Sequence, residues 1–90
     1  MTTSIDVIVE FAKQHPVVQG VFRYKGLHST VYTYELITPT FDFGLATELA
    51  AFTQKLLVKR RCQAEVLMRP GDVDTMRELK YEEVWVRRAD

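Results

Sequence analysis

The sequence predicts an α+β domain in which two amphipathic helices pack on one face of a four-stranded, mainly antiparallel sheet, in the order αββαβ(α)β. Three observations predict it. Apolar residues recur at helical spacing in two stretches, residues 5–12 and 45–56. Four shorter stretches alternate between apolar and polar residues, or are β-branched and aromatic, as strands are. Breakers separate the stretches at Pro16, Gly26, Pro39 and Pro70-Gly71.

The first helix is expected over residues 4–14. Thr3 supplies an N-cap oxygen and Asp6 an acid in the first turn, where the helix dipole favours negative charge. Ile5, Ile8, Val9 and Ala12 make the apolar stripe, flanked by Phe11. Pro16 disfavours helical geometry at His15 and ends the helix. Residues 17–25 then alternate. Val18, Gly20, Phe22 and Tyr24 fall on one face; Gln19, Arg23 and Lys25, with Val21, fall on the other. Gly26 turns the chain. Residues 30–37 read as the return strand, with Tyr32, Tyr34 and Leu36 inward and Val31, Thr33 and Glu35 outward.

Residues 41–59 carry the strongest helix signal. Leu45, Leu49, Phe52 and Leu56 recur at i, i+4, i+7 and i+11, with Thr40 or Asp42 as the cap. Cys62, Ala64, Val66 and Met68 alternate with Gln63, Glu65, Leu67 and Arg69, the pattern of a half-buried strand. After Pro70-Gly71, Val73, Met76 and Leu79 suggest a short helical turn capped by Asp72. The last strand, residues 82–88, sends Val84 and Val86 to one face and Glu83, Trp85 and Arg87 to the other. The 90 residues form one domain, without repeat or linker.

Twelve Lys and Arg balance twelve Asp and Glu, so no general attraction to nucleic acid or anionic lipid is expected, and the weaker charge repulsion between copies permits self-association. The single cysteine, Cys62, permits no intramolecular disulfide. The first residues lack a basic n-region, and no apolar run approaches the ~20 residues of a membrane span. A cytoplasmic protein with no membrane partner is expected.

The residues with chemical potential have simpler explanations. His28 and Ser29 are neighbours in a turn, where they do not supply the spatial roles of a triad. Cys62 could act as a nucleophile with His15 or His28, and Arg60 and Arg61 beside it would activate an exposed thiol, but its strand pattern turns it inward as a small hydrophobe. Asp72 and Asp74 lack the further oxygen ligands of a calcium loop. The four glycines are isolated and make no phosphate loop. No catalytic residue, metal site or cofactor is therefore expected, and the chain is read as a non-enzyme.

Two surfaces remain. The outward sheet face collects Val21, Arg23, Val31, Thr33, Leu67, Arg69, Trp85 and Arg87, a mixture of tryptophan, aliphatic groups and arginine of the kind found at interface hot spots. The second surface is a basic cluster of Lys55, Lys59, Arg60 and Arg61, joined by Arg88, which could contact phosphates. Phe22, Tyr24, Tyr32 and Tyr34 suit a core face better than a base-stacking sheet, because the helix-first order and the absent motif differ from RNA-binding domains. The leading expectation is a small protein-binding module, a regulator or inhibitor, acting through its open sheet face or an edge strand. Homodimerisation through the same surface belongs to this reading. The alternative is a nucleic-acid-binding domain using the basic helix end.

Overall fold

The computed structural model describes residues 4–59 and 64–88. The elements are α1 (Ser4–Lys13), β1 (Gly20–Lys25), β2 (Tyr32–Thr38), α2 (Phe43–Lys59), β3 (Ala64–Pro70), α3 (Val73–Glu78) and β4 (Glu82–Val86). The α+β class and element order are those expected, with the short turn now a six-residue helix. The cap expected at Thr3 lies outside the described residues, as does Cys62.

Side chains set the helix starts. Asp42, not Thr40, caps α2: its Oδ1 accepts the Leu45 amide at 2.9 Å. Asp72 caps α3, accepting the Thr75 amide at 2.8 Å and the Thr75 hydroxyl at 3.0 Å. Both satisfy amides that lack a partner within the helix. The Thr75 amide bond is also what holds the Asp72 carboxyl below its ordinary pKa.

The strand order is β3-β2-β1-β4. β1 pairs antiparallel with β2 and with β4, whereas β2 and β3 are parallel, so the sheet is mixed. The parallel pair follows from α2, because adjacent parallel strands need a long crossover and a helix supplies it. From β3 the chain crosses to the opposite edge of the sheet through α3.

The main core packs Ile8 and Ala12 of α1 and Leu45, Leu49 and Leu56 of α2 on Val21, Tyr34, Leu36 and Val66. Phe52 is half-buried and stacks on Phe11 at 4.4 Å. A second core on the other face joins Met76 of α3 to Phe22 and Ile37, with Val73, Tyr81 and Val86 packed around them. Two covered faces explain why the neighbours Val21 and Phe22 are both fully buried. No helix among the described residues is long and apolar enough to cross a membrane.

The facing of several strand residues corrects the alternation argument. Val21 lies across from Leu36, and Arg23 across from Tyr34, so both face α1 and α2. Phe22 and Tyr24 face the other way, across from Glu35 and Thr33. Trp85 lies across from Val21 and packs against the main core. A bulge in β4 is the cause. Val21 pairs with Trp85 but Phe22 with Glu83, which leaves Val84 as an extra residue. Val84 and Trp85 therefore both pack toward the helices. Val21, Arg23 and Trp85 do not share the open face with Thr33, Leu67 and Arg69.

Candidate functional site

The free edge of the sheet at β3 is the most distinctive surface among the described residues. Among the described residues, β3 is bonded only on its β2 side. The amide of Gly71 donates to the Thr38 carbonyl at 2.8 Å, which fixes the phase of the ladder. Peptide groups alternate in direction along a strand. Those of Glu65, Leu67 and Arg69 thus point to β2, and those of Ala64, Val66, Met68 and Pro70 point away from it. Pro70, which lacks an N–H, stands where that loss costs the sheet no bond.

Beside this edge runs a groove of about 330 Å³ between α2 and β3. Phe41, Ala46, Leu49, Ala50 and Thr53 line one wall, and Val66, Leu67 and Met68 the other. The lining is predominantly apolar. Phe41 is 52% exposed and Leu67 43%, so two of the lining residues stand partly in solvent, and Phe43, next to Phe41, is 80% exposed. Phe41 and Phe43 meet edge to face at 4.8 Å.

Around Leu67, the face of β3 turned away from α1 and α2 carries polar side chains bonded to one another. Glu35, buried in the central strand, receives Arg69 Nη1 at 3.2 Å, and the same nitrogen donates to the Tyr81 hydroxyl at 3.2 Å. Thr33 donates to Glu65 at 3.1 Å. The Tyr24 and Tyr81 rings lie 5.2 Å apart. These bonds satisfy polar groups that would otherwise be costly on a half-buried surface.

The sequence-derived interface residues divide into two groups. Leu67 and Arg69 do lie together on this open face beside the β3 edge. The others are engaged within the fold. Arg23 grips Glu82 with two nitrogens at 2.6 and 3.0 Å, donates to Tyr34, and lies 4.1 Å over the Tyr32 ring. The guanidinium holds the Glu82 carboxyl below its ordinary pKa. Arg87 reaches the end of α1, donating to the Ala12 and His15 carbonyls at 2.9 and 3.2 Å and to the Val18 carbonyl at 2.9 Å. The guanidinium thus sits at the C-terminal end of α1, where the helix dipole favours a cation, and shares carbonyls that also accept the His15 and Val18 amides. Trp85 lies under it, 5.0 Å from the guanidinium.

Of the basic cluster, Lys55 is exposed on α2, while Arg60 and Arg61 lie outside the described residues. Lys59 is the last residue of α2. Arg88 follows β4, at the far edge of the sheet from β3, in an open basin with Arg77 and Arg87. Among the described residues no three His, Cys, Asp or Glu side chains converge to hold a metal ion. His28 and Ser29 lie in the exposed β1–β2 turn, where the Ser29 amide and hydroxyl serve the turn itself. His15 bonds the Phe11 carbonyl at 2.8 Å and the Glu48 carboxylate, joining α1 to α2.

The β3 edge was anticipated only as an unspecified edge strand. Pro70 is the signal that could have located it, since a proline inside a strand confines that strand to an edge. The groove has no such signal, because it exists only where α2 lies beside β3. Compared with protein-family models, curated proteins and solved structures, the chain matches none.

Proposed function

We propose that this protein is a small protein-binding module that takes up an extended segment of a partner along β3. The observation that carries this reading is the free β3 edge, flanked by an apolar groove and exposed Leu67 and Phe41. Outward peptide groups supply hydrogen bonds for an added strand, and pockets beside the edge select its side chains. A segment held along β3 is withdrawn from its other contacts, as a regulator or inhibitor of the partner would require. The single cysteine supports a reducing compartment, and the cytoplasm is the location proposed.

Hydrogen exchange tests the reading. The Val66 and Met68 amides point off the edge, so they exchange quickly in the free chain and slowly once a strand is added. A partner recovered with the protein from its host should slow both amides, and Leu67→Asp should release it. A bound partner that leaves both amides fast would place binding elsewhere and overturn the proposal.

A further inference from the structure

We infer that the segment taken up by β3 is β3 of a second copy, paired antiparallel about a two-fold axis through Leu67. This rests on the strand-addition reading and deepens it by naming the occupant. The register follows from the chemistry of the strand. Pairing centred on Leu67 overlaps all seven residues of β3. It sets Glu65 across from Arg69 of the second copy, and Arg69 across from the second Glu65. Two opposite-charge pairs therefore form on one face, a favourable cross-strand arrangement. Among the described residues, Arg69 bonds Glu35 and Tyr81 through Nη1 alone, which leaves Nε and Nη2 for the second copy's Glu65.

The backbone phase agrees with this register. Val66 falls across from Met68 of the second copy, and both have peptide groups pointing off the edge. Each such pair exchanges two hydrogen bonds. Ala64 falls across from Pro70, whose carbonyl accepts although it has no N–H to give. Centring on Val66 or Met68 instead shortens the overlap and opposes Leu67 to a charged residue.

The groove completes the interface. A seven-residue strand pair alone falls short of the roughly 1,200–2,000 Å² that stable interfaces bury. The axis lies normal to the sheet, so Val66 and Met68 of the second copy emerge on the face that carries α2. They enter the groove there, and the two α2 helices come side by side. Ala46, Ala50 and Thr53 leave room for that approach. The opposite edge is a poorer candidate. β4 is shorter, it is bulged, and two glutamates stand at its start.

Position-specific crosslinking decides the matter. Leu67 facing its own copy is a narrow pair with Cα atoms about 4.5 Å apart, within disulfide reach. Residue 65 is offset from its own copy by four positions, more than ~13 Å and out of reach. In a Cys62→Ser background, Leu67→Cys should oxidise to a covalent dimer at least about tenfold faster than Glu65→Cys. Wild-type protein should sediment as a dimer, and Glu65→Lys should weaken that dimer about tenfold, as like charges replace opposite ones across both pairs. Monomeric sedimentation at about 0.5 mM, or equal crosslinking at the two positions, overturns the self-pairing. If the protein is monomeric but a foreign partner slows Val66 and Met68 exchange, the self-pairing is wrong and the strand-addition reading stands. If those amides stay fast under every condition, both fail.

Discussion

Val84 and Trp85 are neighbours in a strand, yet both pack against the main core. A regular strand would send them to opposite faces. The bulge between the Trp85 and Glu83 pairings removes that conflict by inserting one residue. Period-two reading of residues 82–88 cannot detect it, since the bulge arises from how β1 and β4 meet and no proline or glycine marks it. The same local event converts Trp85 from an expected surface anchor into a half-buried core residue. Arg87 then has a structural task, closing the end of α1 while lying over the indole. Trp85→Ala should consequently destabilise the monomer by about 2–3 kcal/mol, below the ~3–5 kcal/mol of a fully buried aromatic. Urea unfolding at low concentration measures this. A loss under about 0.5 kcal/mol would mean that the ring does not belong to the core.

At the scale of elements, the amphipathic helices were legible and their seam was not. Leu45, Leu49 and Leu56 are all buried where the stripe put them, because helical period and burial report the same face. Which residues tie α1 to α2 depends on tertiary placement. His15 does so, with its ring 4.3 Å from Phe11 and a bond to Glu48. Burial in this seam disfavours the imidazolium, but the Phe11 carbonyl and Glu48 favour it more, and its pKa lies above the ordinary value of 6.5. Folding therefore takes up a proton at this site. The resulting stabilisation is complete below the unfolded pKa and is lost as pH rises through the folded one. Thermal melts of the wild type and His15→Gln should differ most near pH 5.5 and converge toward pH 8. A difference that is constant with pH, or that grows as pH rises, would refute the seam as a charged contact.

At the scale of the whole molecule, the chain builds three layers from 90 residues, and this costs it a uniform second face. The six-residue α3 covers only part of the sheet side opposite α1 and α2. Where it covers, the face is Phe22, Ile37 and Met76; beyond it, the face is Thr33, Glu35, Glu65 and Arg69. That change of character along one face defeats any sequence argument that assigns each face a single polarity. It also places a carboxylate, Glu35, at 10% side-chain exposure in a central strand. Arg69 compensates it from β3, and Tyr81, which leads into β4, completes the contact, so one guanidinium links the two ends of the β3–α3–β4 connection. Removing one member of a buried ion pair strands the other. Arg69 is 37% exposed and partly solvated, so the cost of Arg69→Ala should be about 2 kcal/mol and not the ~3–5 kcal/mol of a fully buried pair. Glu35→Gln in the same chain removes the stranded charge. The double variant should then lose at least about 1 kcal/mol less than the sum of the single losses. Urea melts of the four proteins at a concentration low enough to keep them monomeric give the coupling directly. Additivity within about 0.5 kcal/mol would show that Glu35 and Arg69 are neighbours without being partners, and that the open face is held by its tyrosines.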